Sequence, residues 1–333
     1  MKIPFAANIC RQRNLVAVCG IACLLFLTEG LWATQAHSHR PKRDCVDTSG
    51  EFHIETQTQS EPVVSKSGIK VTTEVTATAV PRAKKDESCH VEWILRVTPP
   101  KERTRRIVVS SGEDAGDETN DFSVLGWSRD EDKILTVMAS EQGDSKGYVP
   151  VVYSIRQQKS WIINLDEIFN KIAGKECKFS FEPSGFTSDG KIFVSLSADA
   201  DLPEGAQPCL RLGGWLVNSD GTGAEPAPSS LHGVVTAVKE DEIMVRPDRR
   251  DGSVVAPVAV LINSATDHMF DRDGYFEFKD LRAGEYVWVW YDSTENAKPN
   301  TAAAVMEWHG KTGQKPPVAV RWRYDSATPA QQK

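Results

Sequence analysis

Residues 285–291 read Glu-Tyr-Val-Trp-Val-Trp-Tyr (EYVWVWY). A short apolar run this rich in β-branched and aromatic residues predicts a strand, and its two-residue repeat puts Tyr286, Trp288 and Trp290 on one face. Trp288, Trp290, Trp308 and Trp322 bring four of the nine tryptophans into the last fifty residues. Such a ladder fills the core of a small β-domain or stacks on sugar rings or a partner peptide. Tyr286, Trp288, Trp290 and Trp308 are therefore candidate binding residues.

The neighbouring segments extend the pattern. Residues 232–238 (HGVVTAV), 242–246 (EIMVR), 254–263 (VVAPVAVLIN), 275–278 (YFEF) and 302–308 (AAAVMEW) read as short strands divided by Gly and Asp turns. Together they predict a small Greek-key barrel or sandwich across residues 231–310. Residues 218–230 (NSDGTGAEPAPSS) have no apolar period and read as a linker. The tail 311–333, with Pro316, Pro317 and a polar end, reads as partly disordered.

Residues 39–217 form a second β-rich region. Alternating segments at 51–57, 68–80, 90–97 and 106–110 predict a β-meander, followed by an exposed acidic loop over 112–121 (GEDAGDETND). Residues 126–135 (GWSRDEDKIL) and 185–193 (GFTSDGKIF) repeat one order: aromatic, hydroxyl, Asp turn, Lys, apolar strand. They resemble the turns of TolB-type and other β-propeller repeats. Lys133 and Lys191 lie 58 residues apart, and two copies cannot close a ring, so the expectation is blade-like hairpins. Between them, Leu165, Ile168, Phe169 and Ile172 share a helical face, with Asn164 or Asp166 as cap and Gly174 as stop.

Two resemblances cover the C-terminal region. Gly233–Val238, Ile243–Val245, Thr266, Asp280–Trp290 and the Ala-rich strand after it are similar to the small OB-type domains of unknown function in bacterial exported proteins, across residues 231–309. Phe270–Tyr286 (FDRDGYFEFKDLRAGEY) resembles the hairpin of carboxypeptidase regulatory-like, transthyretin-type sandwiches, although about twenty extra residues intervene between the opening strand and the short apolar strand that family expects next. Both families are mostly accessory modules and imply no catalytic residue. The fold class expected is all-β: an N-terminal meander with blade-like hairpins and a C-terminal OB-like barrel.

At the N-terminus, Lys2, Arg11 and Arg13 precede the apolar run 14–28 (NLVAVCGIACLLFLT), the form of a signal peptide spanning residues 1–38. Cleavage after Ala36 or Ser38 fits the small-residue rule and implies a periplasmic or secreted chain, not membrane-embedded after processing. Loss of residues 1–36, with a net charge of +2, takes the chain from −7 to −9. So acidic a protein is not a nucleic-acid binder. Cys45, Cys89, Cys177 and Cys209 remain, and of three connectivities Cys45–Cys89 with Cys177–Cys209 brackets local strands best. After cleavage at Ala36, His37 and His39 form an amino-terminal site for a square-planar copper(II) or nickel(II) ion.

No H-E-x-x-H, G-x-S-x-G, P-loop, G-x-G-x-x-G or C-x-x-C pattern occurs. His53, His90, His232, His268 and His309 show no metal-pair spacing, and Asp271 and Asp273 read as a hairpin turn. The reading is an accessory or binding module without a cofactor, with an envelope protein or glycan as partner. The alternative is a secreted hydrolase whose site is assembled from residues distant in sequence.

Overall fold

A computed structural model of the chain describes residues 59–80, 88–114, 119–142, 145–198, 209–271, 274–275, 277–293, 297–310, 314–321 and 324. All of them belong to one compact unit, Cys45–Lys333. The signal-peptide segment, Cys45, His37, His39 and Trp322 lie outside the described residues.

The unit is all-β, as expected. A first antiparallel sheet holds β1 (Val63–Val64), β2 (Lys70–Val80), β3 (Ser88–Thr98) and β4 (Arg105–Asp114) in chain order. A second holds β5 (Thr119–Trp127), β6 (Lys133–Gln142), β7 (Ser145–Ser154) and β8 (Lys159–Ile162). A third holds β9 (Phe179–Phe186), β10 (Ile192–Ala198), β11 (Gly213–Val217) and β12 (Ala224–Pro226). Between the second and third runs α1 (Leu165–Ala173), capped by Asn164, whose side chain accepts from Glu167 N at 3.1 Å, and ended by left-handed Gly174. The acidic loop is shorter than expected, because β4 runs to Asp114 and β5 begins at Thr119.

One turn recurs in all three sheets. Ser65, Ser128, Thr187 and Asn218 each accept, through the backbone carbonyl, the amide three residues on: Gly68, Glu131, Gly190 and Gly221. Those four have positive φ, of 85°, 54°, 82° and 75°, the conformation a tight turn demands and glycine adopts without steric cost. The first side chain of three of these turns closes the loop: Ser65 Oγ accepts Ile69 N at 3.2 Å and Ser128 Oγ accepts Lys133 N at 2.9 Å, while Thr187 Oγ1 donates to Asp189 Oδ1 at 2.5 Å. The turns also tie the sheets together. Ser67 N donates to Glu131 Oε2 at 3.0 Å, and Trp161 Nε1 to Ser219 O at 2.8 Å.

The fourth sheet has seven strands: β13 (Leu231–Val238), β14 (Glu242–Pro247), β15 (Val258–Leu261), β16 (Asp267–Phe270), β17 (Gly274–Tyr275), β18 (Tyr286–Tyr291) and β19 (Ala302–Glu307). Their order is β15-β14-β13-β18-β19-β16-β17, with β16 and β19 parallel. Among the described residues the expected closed barrel does not form. The ladder breaks at the turn Asn263–Thr266, where Asn263 Oδ1 accepts Ala265 N at 2.9 Å, so β15 and β16 are separate strands. One isolated parallel bridge, Leu261 to Thr301, crosses the gap.

The four sheets share three packed layers and the fourth keeps a core of its own. Val71, Val91 and Leu95 meet Phe122, Ile134 and Tyr153 between the first two sheets. Leu135, Phe169, Val194 and Trp215 join the second to the third across α1. Phe193 and Leu212 of the third meet Met269, Trp288 and Trp290 of the fourth, while Val235, Ile243, Val260, Val287 and Val305 fill the opposite face of the fourth. Residues 218–230, expected as a linker, instead supply β12 and a buried Ala227, whose carbonyl accepts Trp290 Nε1 at 3.0 Å. The tail is also ordered in part. A helical turn α2 (Val318–Arg321) and buried Tyr324 lie on the aromatic face, where Trp288 Nε1 donates to Arg321 O at 3.3 Å.

The close approach of the third and fourth sheets depends on a missing side chain. Gly213 has φ of +99°, and a Cβ there would lie 2.3 Å from Trp290 Cη2. Gly213→Ala is expected to destabilise the protein by about 3 kcal/mol, from strain and overpacking together. Urea unfolding at neutral pH measures it, and a loss below about 0.5 kcal/mol contradicts this packing.

Candidate functional site

Strand alternation divides β18 into two faces with different chemistry. Tyr286, Trp288 and Trp290 are at most 2% exposed and pack on the third sheet. The stacking surface expected of them is therefore core: no ligand reaches rings buried between two sheets. Trp308 is the half-buried member of that set; it packs against the same cluster and, with Tyr286, borders a cleft.

Glu285, at the other end of the alternation, precedes Val287 and Val289 on the opposite face. Glu307 ends β19, paired with Val287 on one side and Phe270 on the other. The two carboxyls meet in a cavity of about 200 Å³ lined by Phe270, Asp280, Glu285, Glu307, Trp308 and His309. Its frame is backbone: Trp308 N donates to Tyr286 O at 2.8 Å and Asp271 N to Glu307 O at 2.9 Å. The Asp271 side chain accepts His309 N at 2.8 Å, and the Arg282 amide donates to the Glu285 carboxylate. Burial holds the Glu285 carboxyl above its ordinary range; the facing Glu307 adds to this and the Arg282 amide opposes it.

Behind the cleft lies a polar group in an apolar setting. His268 is fully buried, stacked on Phe278 with ring centroids 4.7 Å apart. Its Nε2 lies 3.5 Å from Glu307 Oε2, yet neither ring nitrogen nor that oxygen has a hydrogen-bond partner. Buried polar atoms are nearly always bonded, and leaving one unpaired costs about 1–3 kcal/mol. The arrangement offers facing carboxyls to a donor-rich ligand or to proton transfer, while the unpaired oxygen, Glu307 Oε2, is sealed from the cleft against His268.

Two further polar clusters hold sheets and tail in place. His232 Nδ1 lies 2.8 Å from Tyr286 Oη, which donates to Asp248 at 3.2 Å. Arg321 Nε reaches the same carboxylate at 3.2 Å, fastening the tail to the fourth sheet. On β16, Asp267 faces the third sheet and accepts from Ser195 Oγ of β10. Burial drives the Asp267 carboxyl upward against that hydrogen bond.

The disulfide Cys177–Cys209 is present as expected, with Cα atoms 6.3 Å apart. The Cys45–Cys89 pairing and the His37–His39 metal site fall outside the described side chains. Among the described residues, no three His, Cys, Asp or Glu side chains are placed to share a metal ion, and no helix is long and apolar enough to cross a membrane.

Sequence reasoning read His268 and His309 as ordinary strand or turn residues and did not single out Glu285 or Glu307. A signal was present: Glu307 interrupts the otherwise apolar strand Ala302–Met306, and His268 sits inside the buried run Asp267–Phe270.

The chain matches no protein-family model, and comparison with curated proteins and with solved structures finds no match. The chemistry of its buried carboxyls is directly testable. Because the folded protein holds the Asp267 proton more tightly than the unfolded chain, its stabilising contribution is complete below the ordinary carboxyl range and is lost as pH rises above it. Asp267→Asn, which keeps an acceptor for Ser195, is expected to be more stable than the parent, with a gain that grows from pH 4 to pH 8. A gain independent of pH, in paired thermal melts, contradicts the assignment.

Proposed function

We propose that the protein is an exported binding or accessory module of the bacterial envelope, whose ligand site is the cleft between Glu285, Glu307 and Trp308. The observation that carries this reading is the cleft itself: a concave site with convergent carboxyls, bordered by Phe270, Tyr286 and Trp308 and backed by unpaired buried polar atoms. The three four-stranded sheets act as a scaffold stacked behind it, held by the turn contacts and by the Cys177–Cys209 disulfide. Export rests on the N-terminal segment, whose basic start, apolar run and small-residue exit have the form of a leader. An OB-type origin for the fourth sheet is supported by its β15-β14-β13 meander flanked by β18 and β19, with a parallel bridge from β15 toward β19.

The facing carboxyls favour a second reading, a hydrolase in which Glu285, whose carboxyl burial holds above its ordinary range, delivers a proton to a leaving group with Glu307 beside it. One experiment separates the two. The purified protein and its Glu285→Gln/Glu307→Gln form are titrated against envelope glycans and peptides by calorimetry, with the products assayed. The binding reading predicts saturable binding without turnover, weakened at least about tenfold, or 1.4 kcal/mol, in the double variant. Turnover lost in that variant establishes the hydrolase, and equal binding by both forms removes the cleft from the function.

The intact mass of protein recovered from the exported fraction is expected to correspond to a chain beginning at His37 or His39. A retained Met1 contradicts export by leader cleavage.

A further inference from the structure

We propose that the turn end of the first two sheets docks on the surface of an anionic phospholipid bilayer. The surface belongs to those sheets and involves no residue of the cleft.

Four turns meet at this end. The turns 65–68 and 128–132 are joined by the Ser67 amide, which donates to Glu131 Oε2 at 3.0 Å. A Cβ on Gly68 would stand 3.6 Å from Pro100 Cγ, so the connection 99–104 lies against the first turn. Ile155 N donates to Asp132 O at 2.7 Å and Arg156 N to Asp132 Oδ1 at 2.9 Å, which brings in the turn 155–158.

Charge is spread unevenly over the chain. Residues 63–70, 98–106, 128–133 and 154–159, which form this end, carry ten Lys or Arg against four Asp or Glu, whereas the whole chain has 39 against 46. Residues 112–121, where β4 ends and β5 begins far from the turns, hold five Asp or Glu and no Lys or Arg. A body polarised in this way is attracted and oriented by a negative surface.

The carboxylates of the four turns are engaged within them. Glu131 accepts Ser67 N, Asp130 accepts Ser128 Oγ at 2.7 Å, Asp132 accepts Arg156 N, and Glu102 pairs with Arg105 at 2.7 Å. The cations point outward instead: Lys66, Lys101, Arg103, Arg129 and Arg156 are exposed. Among the described residues, Lys101, Arg103 and Arg129 form no ion pair. Lys101 has φ of +64°, a left-handed tip conformation that glycine adopts at less steric cost.

The second observation is apolar. Val63 and Val64 are 38% and 54% exposed on β1, and Pro100 is exposed beside Gly68. Val64 is paired across the strands with Lys70 and stands two residues before Lys66. A bilayer answers both features, since its phosphates meet the cations and its interfacial region takes up the valines. A soluble polyanion answers the charge alone.

The test is flotation of the full exported chain with vesicles of equal parts phosphatidylcholine and phosphatidylglycerol, and with vesicles of phosphatidylcholine alone. The expected result is at least about tenfold stronger partition onto the anionic vesicles, falling about tenfold as sodium chloride rises from about 50 to about 300 mM and the Debye length shrinks. Lys101→Glu/Arg103→Glu is expected to weaken partition at least about tenfold. The same change of charge ahead of β9, Lys175→Glu/Lys178→Glu, lies at the far end of that strand from its turn and is expected to weaken it less than about threefold. Val63→Ser/Val64→Ser is expected to weaken it about fivefold with the salt dependence retained. Amide exchange on the anionic vesicles is expected to slow at residues 63–70, 98–106 and 128–133. Equal partition onto both kinds of vesicle, absence of partition onto either, or equal loss in the two charge variants overturns the proposal. Full competition by soluble polyphosphate, with partition unchanged in the valine variant, assigns the surface to a soluble polyanion and overturns the bilayer assignment.

Discussion

The contact on which the rest of the structure depends is the packing of Tyr286, Trp288 and Trp290 against β10 and β11. Three large aromatic side chains carry a large apolar area, and burying it needs a partner surface that comes very close. Gly213 and Gly214 provide that approach, since the indole of Trp290 occupies the space their Cβ atoms would fill. The polar edges of the rings are met as well, Trp290 by the carbonyl of Ala227 and Trp288 by that of Arg321. Residues 218–230 and the tail therefore serve the same interface from two sides.

Fixing one face of β18 fixes the other. The strand alternation that turns the aromatic side chains to the third sheet leaves Glu285 in line with Val287 and Val289, whose partners on β19 are Val305 and Glu307. The apolar core of the fourth sheet ends where those two carboxyls begin, and the cleft is the open end of that core. Stiff walls matter for such a site, because facing carboxyls repel when ionised and a looser frame would let them part. The parallel pairing of β16 with β19 and the amides of Asp271, Trp308 and His309 resist that movement.

Much of the fold was legible because it depends on local chemistry. The alternation of residues 68–80 and 90–97, the Asn164 cap, the Gly174 stop and the Cys177–Cys209 bridge are each set by neighbours in sequence or by a short span. The turn motif was legible as a repeat at Ser128 and Thr187, and the Asp-Gly turn after Asn218 was legible singly; at Ser65 the hydrogen-bonding pattern persists without the aromatic and lysine that flag it. Sheet-to-sheet packing was not legible. A strand bearing tryptophans reads the same whether its face meets solvent, a ligand or another sheet, and the two glycines that decide the matter lie more than seventy residues away. The linker reading failed for a related reason: a segment rich in Gly, Pro and Ser lacks a period of its own, yet its backbone carbonyl and one alanine are what the indole of Trp290 requires. The cleft was missed because Glu285 and Glu307 are brought together only by the β18–β19 pairing, and His268 by the parallel strand beside it.

The central claim is that the aromatic face of β18 is interior. Hydroxyl-radical footprinting of the native protein, with oxidation read residue by residue by mass spectrometry, tests it most directly. The account predicts that Trp288 and Trp290 stay unlabelled until the chain is denatured, while Trp308, half-buried at the cleft, is oxidised in the native state. Labelling of Trp288 or Trp290 at the rate of Trp308 would show the ladder to be open to solvent and would contradict the account.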